Sequence, residues 1–164
     1  MAIDRSVNAP AVSPDLITKS VDYMGSDEVK EGEPFVYTVG AGTATAYDGL
    51  RHNQVERPKA SGATFAGVAV RSYPAATPGN GRLIEIALPG SRGVRIRMNA
   101  AIDQGDRAMF CYKASTGSKL WKETATAVSS GVIGMAVVRQ TITAAGLAQA
   151  DLVDGPYNAG VSET

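Results

Sequence analysis

Apolar and polar residues alternate with a period of two along several short stretches of the chain, a pattern that predicts β-strands. FVYTVGA (35–41) and TATAY (43–47) are rich in β-branched and aromatic residues, and the second stops at the turn dipeptide Asp48-Gly49. TFAGVAVRSY (64–73) is almost continuously apolar, as expected for a strand covered on both faces. Few segments resemble long helices, so helix should be confined to a turn or two. The pattern predicts an all-β fold, a compact barrel or sandwich of roughly eight to ten short strands.

The stretches RLIEIAL (82–88) and GVRIRM (93–98) flank the turn sequence PGSR. Their alternation predicts a β-hairpin with one buried face. The predicted opposite pairs are Leu88 with Val94, Ile86 with Ile96, Ile84 with Met98 and, on the exposed face, Glu85 with Arg97.

A second hairpin is predicted where RAMFCYK (107–113) and LWKE (120–123) flank the sequence ASTGS. GVIGMAVVRQTIT (131–143) supplies one or two further strands, and AQADLV (148–153) is a candidate for the strand that closes the sheet.

Two phrases each occur twice in the same order. VKEGEPFVY (29–37) resembles IDQGDRAMFCY (102–112), and GVAVR (67–71) resembles GMAVVR (134–139). The matching glycines lie 73 residues apart in the first pair and 67 residues apart in the second. This order and spacing predict two related β-units, with chance recurrence of short Gly-Val-Ala phrases as the alternative. The glycine phrase is expected to mark the central strand of each unit, where a missing side chain lets a neighbouring strand approach.

The 164 residues suffice for one domain or for two small halves that share a core, and the hydrophobic content of 44% is ordinary for a globular protein. Residues 1–15 include Pro10 and Pro14 and almost no apolar periodicity, which predicts either an extended arm or a frayed terminus. The expected organisation is an N-terminal arm over 1–15, a β-rich domain over 16–155 and a C-terminal tail over 156–164.

Sixteen basic and sixteen acidic residues give a formal net charge of zero. This balance argues against nucleic acid as a partner, because phosphate binding needs a basic excess or a basic patch. The chain shows neither the apolar segment of a signal peptide nor a run of ~18 apolar residues, so we expect a soluble protein made in the cytoplasm of its host cell, with no membrane partner. Cys111 is the only cysteine and cannot form an intrachain disulfide.

The sequence contains no pattern typical of an enzyme site. His52 is the only histidine, and it lies in the polar stretch DGLRHNQVERP, where an exposed loop is expected. His52 and Cys111 cannot supply a zinc set. The pair Gly40 and Gly42 lacks the third glycine of a phosphate-binding loop. The acidic residues between 27 and 33 flank a turn, where solvated charge is expected. The sequence therefore assigns no catalytic, cofactor-binding or metal-binding residue.

Two groups of residues have a binding interpretation beside a structural one. Arg92, Arg95 and Arg97 form the one local basic cluster. They are expected on a solvent-facing sheet surface with cross-strand partners, and a docking patch for an acidic protein surface is the alternative. Trp121 and Tyr112 could line a sugar-binding face, although such side chains more often belong to a core.

An N-terminal arm poor in apolar residues precedes VKEGEPFVY, FAGVAV, AIDQGDRAMFCY and SSGVIGMAVV. Together these motifs, which span about residues 29–155, resemble those of the small β-rich capsid decoration (cement) proteins of tailed bacteriophages. The shared features are an I-x-x-G-D turn before a strand and a late strand that contains G-V-A or G-M-A.

The resemblance implies a non-enzymatic virion protein, often a trimer, on the outer capsid surface. Such a protein braces neighbouring major capsid proteins after shell expansion. The resemblance implies no catalytic residue and no cofactor, and it assigns no capsid contact, because the contacts of this family are not fixed in sequence.

Two other functions stay open from the residues alone. A carbohydrate- or receptor-binding β-module of a phage tail or fibre would need an exposed aromatic platform. A small enzyme would need a pocket that gathers His52 with carboxylates.

Overall fold

The computed structural model describes residues 16–23, 25–39, 50–57, 64–77, 81–111, 121–123 and 132–153. Within these residues the fold contains ten β-strands and no helix, which confirms the all-β prediction. In chain order the strands are β1 Thr18–Tyr23, β2 Pro34–Val39, β3 Leu50–Glu56, β4 Phe65–Ala69, β5 Arg82–Ala87, β6 Val94–Met98, β7 Arg107–Cys111, β8 Lys122–Glu123, β9 Val132–Val138 and β10 Gly146–Leu152. The predicted arm (1–15), the stretch TATAY and the predicted tail (156–164) lie outside the described residues.

The first five strands form a closed barrel in the order β1-β3-β2-β4-β5, called here the first barrel. Strand β5 returns to β1 antiparallel, from Thr18 opposite Ala87 to Tyr23 opposite Arg82. Strand β1 pairs in parallel with β3 on its other side. Because the barrel is closed, it has no edge strand with unpaired backbone N–H and C=O groups.

The last five strands form a second sheet in the order β6-β10-β9-β7-β8, called here the second unit. A parallel bridge between Met98 and Trp121 joins the two edge strands. Trp121 donates its backbone N–H to the Arg97 carbonyl at 2.9 Å, and Asn99 donates to the Trp121 carbonyl at 2.9 Å. The second unit therefore also closes on itself, through one bridge instead of a full ladder.

Strand for strand, the second unit repeats the first barrel, with β6 to β10 corresponding to β1 to β5. Val21 lies opposite Ile84 where β1 meets β5, and Ile96 lies opposite Ala148 at the same place in the second unit. These matched registers confirm the prediction of two related β-units.

The parallel contacts also correspond. Tyr23 pairs with Val55 between β1 and β3, and Met98 pairs with Trp121 between β6 and the residue before β8. In each unit, therefore, the contact that closes the unit joins its first strand to its third strand or to the residue just before it.

The turn before the second strand of each unit has the same hydrogen bonds. Gly32 and Gly105 have φ angles of 85° and 94°, which glycine adopts without strain. The Gly32 N–H donates to the Ala69 carbonyl and the Gly105 N–H to the Val138 carbonyl, each at 2.9 Å. The resemblance between VKEGEPFVY and IDQGDRAMFCY thus reflects one turn built twice.

The glycine phrase lies on β9, the central strand of the second sheet, as predicted, but in the first unit it lies on β4 of a closed barrel, which has no central strand. The two copies of the phrase also differ in register. Gly67 lies opposite Phe35, whereas Gly134 lies opposite Phe110, two residues further along β7 than the equivalent position. The residue that corresponds to Gly67 is Ala136. Both glycines adjoin a register shift in their ladder, so the phrase marks a β-bulge in each unit.

The predicted hairpin between 82–88 and 93–98 is wrong. Strand β5 pairs with β1 and β4, and β6 pairs with β10. The pairs that do not form are Leu88 with Val94, Ile86 with Ile96, Ile84 with Met98 and Glu85 with Arg97. Alternation fixes which side chains face the core, and these do, but it does not identify the partner strand. PGSR is instead the connection between the two units.

Two other strand predictions are confirmed. Strand β7 pairs antiparallel with β8, with Ala108 opposite Glu123, as the second predicted hairpin requires. Every residue of β4 is buried, as its continuous apolar sequence predicts. Strand β10 lies between β6 and β9 and so connects the two parts of its sheet.

The buried side chains of the described residues form two clusters, and one of these clusters joins the two units. One fills the first barrel and includes Val21, Phe35 and Ile86. The other fills the second unit and extends onto the outer face of the first barrel, through Val36, Phe65, Val68 and Ala87. The contact between the two units, of which this shared core is the apolar part, is called here the joint.

Candidate functional site

The candidate site is an open groove of about 580 Å³ where the two units meet. Its lining residues are Asp27, Glu28, Lys30 and Glu33 from the segment before β2, and Arg97, Met98, Ala145 and Gly146 from the second unit. A concave surface with several convergent charged groups is the usual place to look for a binding or catalytic site.

The segment before β2 is held by backbone bonds that fix its acidic side chains at the groove. Val29 and Tyr73 exchange two backbone hydrogen bonds, of 3.0 Å and 2.7 Å. Glu33 accepts the Lys30 N–H at 2.8 Å, which ties the carboxylate back over the turn. Because Glu33 is only 4% exposed, its charge needs a cation close by.

Arg57, which follows β3, supplies that cation and is itself only 6% exposed. Its Nη2 donates to Glu33 Oε2 at 2.7 Å, to the Glu28 carbonyl at 3.1 Å and to Asp27 Oδ2 at 3.4 Å. The guanidinium carbon lies 4.8 Å from the centre of the Phe35 ring, within reach of a cation–π contact. Charge pairing and aromatic contact offset part of the desolvation cost of Arg57, whose buried Nε and Nη1 have no hydrogen-bond partner among the described residues.

Tyr23 lies between two arginines beside this ion pair. The centre of its ring is 5.6 Å from the Arg57 guanidinium carbon and 5.4 Å from that of Arg82. Its hydroxyl hydrogen-bonds Asp27, and Arg82 donates to the Asp27 carbonyl. Burial first, and then the hydrogen bond to Asp27, raise the pKa of Tyr23 to about 12, although the Arg57 charge opposes the shift. Tyr23 is therefore a neutral hydrogen-bonding group at neutral pH.

Two of the acidic residues that line the groove, Asp27 and Glu33, contact guanidinium groups beside it: Arg57 pairs with both carboxylates, and Arg82 donates to the Asp27 carbonyl. General acid–base catalysis needs a group that exchanges a proton near the working pH. The pKa of Tyr23 moves away from that range, and the carboxylates hold arginine. This geometry is typical of a structural ion-pair network.

The arginine cluster of the sequence does not form one patch. Arg92 and Arg95 are exposed, and Arg95 Nη1 lies 3.5 Å from Glu31 Oε1 of the other unit. Arg97 Nε donates to the Glu31 carbonyl at 3.0 Å. The expected cross-strand partners are replaced by a partner across the joint, so two of the three arginines hold the units together.

The other candidates from the sequence are not among the described residues that line the groove. Trp121 is fully buried, and its ring meets Phe65 edge-on at 5.8 Å, which places it in the joint. Cys111 lies in strand β7, as predicted. The loop expected at His52 is wrong, because residue 52 lies in β3, whose polar sequence does not show the usual alternation of a strand. Tyr112 lies outside the described residues.

Sequence reasoning missed Arg57, the residue around which the charged groove is organised. In DGLRHNQVERP it stands among polar neighbours, with no periodicity that indicates burial. The only available signal was the acidic segment 27–33, which needs a buried cation if it packs against the protein.

Within the described ranges, no three His, Cys, Asp or Glu side chains are grouped so that they could hold a metal ion. The same part of the chain contains no helix long and apolar enough to cross a membrane.

No family model matches the chain, and no curated protein matches it. Among solved structures, it is similar to the N base of the head fiber gp8.5 of bacteriophage phi29, at 12% identity and a TM-score of 0.47. That match covers 85% of this chain and 94% of the other. A likeness at this level carries no functional information by itself.

Proposed function

We propose that the chain is a non-enzymatic structural protein of a tailed-bacteriophage virion. It decorates the outer capsid surface and stabilises the expanded head by bridging major capsid proteins. It is synthesised in the host cytoplasm, and its partners are the major capsid protein and further copies of itself, with a trimer as the expected form. Neither nucleic acid nor a membrane is a partner, and no cofactor takes part.

The observation that carries this proposal is the joint. Arg97 donates its backbone N–H to the Gly32 carbonyl at 2.9 Å, and Gly90 donates to the Leu152 carbonyl at 3.1 Å. A shared apolar core lies beneath these bonds. A protein that braces a shell must keep its attachment points at a fixed separation, and two closed units with a common core do so because interiors are close-packed.

The connection between the units adds to this rigidity. Ser91 is fully buried, and its hydroxyl donates to the Ile17 carbonyl and accepts the Ile17 N–H, each at 3.0 Å. Its carbonyl accepts the Leu152 N–H at 2.8 Å. One residue of the connection therefore ties Ile17, the residue before β1, to Leu152 at the end of β10.

The groove supports the same function, because its carboxylates and guanidinium groups neutralise one another within the protein. Glu33 Oε2 lies 2.7 Å from Arg57 Nη2, so the carboxylate is held in an ion pair within the protein. Such a network stabilises one arrangement of the segment before β2.

The N-terminal residues 1–15 are proposed to act as an arm that reaches onto neighbouring capsid subunits. Fifteen extended residues span up to roughly 50 Å, enough to cross between adjacent subunits. Pro10 and Pro14 keep such a segment from forming helix. One arm should bind weakly because it loses conformational entropy on docking, but several arms on one oligomer raise the effective concentration.

A carbohydrate-binding module is the less well supported function. It requires an exposed aromatic platform, and Trp121 and Tyr23 are both buried. Tyr37 and Tyr73 are half-buried, and none of the aromatic side chains that the structure describes is exposed.

The proposal is tested by mixing the purified chain with heads that lack it, in expanded and unexpanded forms, and sedimenting them. We expect the chain to pellet with expanded heads and to stay in solution with unexpanded heads. A variant without residues 2–15 should keep its β-sheet circular dichroism spectrum and its oligomeric state while binding far more weakly. Equal binding by the truncated chain would show that the arm has no such role. Failure of the full chain to bind expanded heads would contradict decoration itself.

A further inference from the structure

The joint has two complementary sides, a turn on the first barrel and a leucine on the second unit. A Cβ atom added to Gly32 would lie 2.6 Å from the Arg97 nitrogen and 2.7 Å from Leu147 Cδ2. The second unit therefore covers the turn 30–33, called here the Gly32 turn, closely enough to require glycine.

Because the two units repeat each other, each side of the joint has a counterpart elsewhere in the molecule. The turn 103–106, called here the Gly105 turn, has the same φ sign and the same backbone bonds as the Gly32 turn. Among the described residues, no atom lies within 4 Å of a Cβ added to Gly105. One copy of the turn is covered and the other is open.

The leucine also has a counterpart. Leu147 lies opposite Arg97 between β10 and β6, and Leu83 lies opposite Asp22 at the same place between β5 and β1. Leu147 is half-buried in the joint, whereas Leu83 is 68% exposed, the more exposed of the two large hydrophobic side chains that lie open among the described residues. The molecule thus carries one open turn and one open leucine that match the two sides of its own joint.

We infer that a second copy of this chain places its Leu83 on the Gly105 turn, so that copies associate head to tail through a partial repeat of the joint. The inference deepens the proposed self-association, on which it rests. The two contacting surfaces differ, so the interface is heterologous and generates either a closed ring or an open chain of copies. A ring of three copies would contain six similar β-units around one axis.

The apolar residues that lie beside the Gly32 turn are repeated only in part beside the Gly105 turn. On the first barrel, Val36, Val68 and Ala87 belong to the joint. The residues that correspond to the two valines are Met109 and Val137, of which Met109 is already only 6% exposed within the single chain and Val137 is half-buried. The residue that corresponds to Ala87 is Asp151, which is ion-paired, so the contact between copies covers less apolar surface than the joint.

The charged contacts of the joint are also not repeated. Arg95 pairs with Glu31 across the joint, and the corresponding residues are Ser20 and Gln104. Asp22 corresponds to Arg97 and would lie beside Gln104 of the neighbouring copy. With less apolar area and no ion pair, the association is expected to be reversible and dependent on concentration.

The test measures sedimentation velocity of the purified full chain over a concentration series. The wild type should associate as concentration rises, and Leu83→Asp should raise the dissociation constant about tenfold to hundredfold. Ile17→Asp is the matched control, because Ile17 is 51% exposed on the same barrel but has no place in the inferred contact. Ile17→Asp should associate like the wild type, and circular dichroism should show both variants folded.

A second variant tests the head-to-tail geometry. Gln104→Glu brings a negative charge beside Asp22 of the next copy and should weaken association, while its own Leu83 stays intact. Mixed with Leu83→Asp, whose Gly105 turn is intact, it should form 1:1 dimers that neither variant forms alone.

Several results would overturn the inference. These are a wild type that stays monomeric at every concentration, equal association of Leu83→Asp and wild type, or absence of dimers in the mixture. Association that arises only after residues 2–15 are removed would also overturn it, because the arm would then cover the turn. A monomeric wild type that still binds expanded heads would refute this contact but leave the proposed decoration intact. A wild type that associates but does not bind expanded heads would support this contact and refute decoration.

Discussion

The first barrel and the second unit have the same strand order and, up to the bulges of β4 and β9, matching registers, yet their interiors are filled differently. The first barrel contains Phe35 and Val55, and the second unit has Ala108 and Trp121 at the corresponding positions. All four side chains are fully buried. The large aromatic has changed strands, from the second strand to the edge of the third. A small barrel therefore constrains total volume and pattern more than the identity of any one core residue.

The two regions also differ in buried charge. Arg57 and Glu33 form a buried ion pair in the first barrel, and the corresponding residues of the second unit are two acids, Glu123 and Asp106. The ion pair faces the groove at the joint. The comparison indicates that this pair is not required to form the β-unit itself.

Exchanging the large aromatic tests the volume argument and should give the largest effect. Trp121→Ala should lower the free energy of unfolding by about 3–5 kcal/mol, because it leaves a large cavity in the second unit and removes the Phe65 contact. Ala108→Phe, which mimics the first barrel, should recover about 0.5–3 kcal/mol of that loss. Urea unfolding measures both values. A phenylalanine that destabilises the Trp121→Ala variant further would show that the two interiors are not interchangeable.

Removing the buried cation Arg57 tests how the two units differ in buried charge. Arg57→Met should cost about 3–5 kcal/mol, because Glu33 is left buried without its partner. The double variant Arg57→Met/Glu33→Leu removes both charges and should be close to the wild type in stability. Chemical denaturation of the two variants checks this pair, and equal destabilisation of single and double variants would refute it.

Strands β4 and β9 differ at one corresponding position, which is Gly67 in β4 and Ala136 in β9. A Cβ at Gly67 would lie 2.2 Å from the Ala87 carbonyl oxygen, so Gly67→Ala should cost about 1–3 kcal/mol. The corresponding residue, Ala136, already carries a Cβ, and Ala136→Gly should cost only about 0.5–1 kcal/mol. Thermal unfolding ranks the two variants, and the reverse order would contradict the register correspondence.

The smallest effect is expected at the surface of the second unit. Burial by itself would raise the pKa of Asp151, but hydrogen bonds from Arg139 and from the Gly93 N–H, at 2.7 Å and 3.0 Å, hold that pKa below its usual range. A carboxyl group with a lowered pKa stabilises the fold above its unfolded-state pKa, and this stabilisation is lost as the pH falls through the folded-state pKa. Asp151→Asn should therefore flatten slightly the loss of stability in acid, and high salt should reduce the difference because Arg139 is exposed. An unchanged acid profile would show that the pair contributes nothing.

Local pattern predicted much of the fold. The alternation around Ile84 and Ile96 identified both strands and their buried faces, and the turns at Gly32 and Gly105 revealed the repeat. The partner strands could not be predicted, because β5 and β6 belong to different units and the PGSR connection resembles a hairpin turn.

The candidate site was less predictable than the fold. Arg57 is buried only because strands distant in sequence bring Phe35, Tyr23 and Glu33 around it. Likewise, the arginines 95 and 97 have a local basic pattern, but their partner Glu31 lies across the joint. Contacts between units depend on how the units pack, and no period in the sequence records that packing.

The claim that the second unit repeats the first barrel depends most directly on the bridge between Met98 and Trp121. Hydrogen-exchange NMR of the labelled full chain measures it, through the Trp121 amide bonded to the Arg97 carbonyl and the Asn99 amide bonded to the Trp121 carbonyl. We expect both amides to be protected and to show cross-strand contacts between residues 98 and 121, as the Val55 region does beside Tyr23. Rapid exchange at both amides, with protected β9 and β10, would mean that the second sheet is open and that the two units are not equivalent.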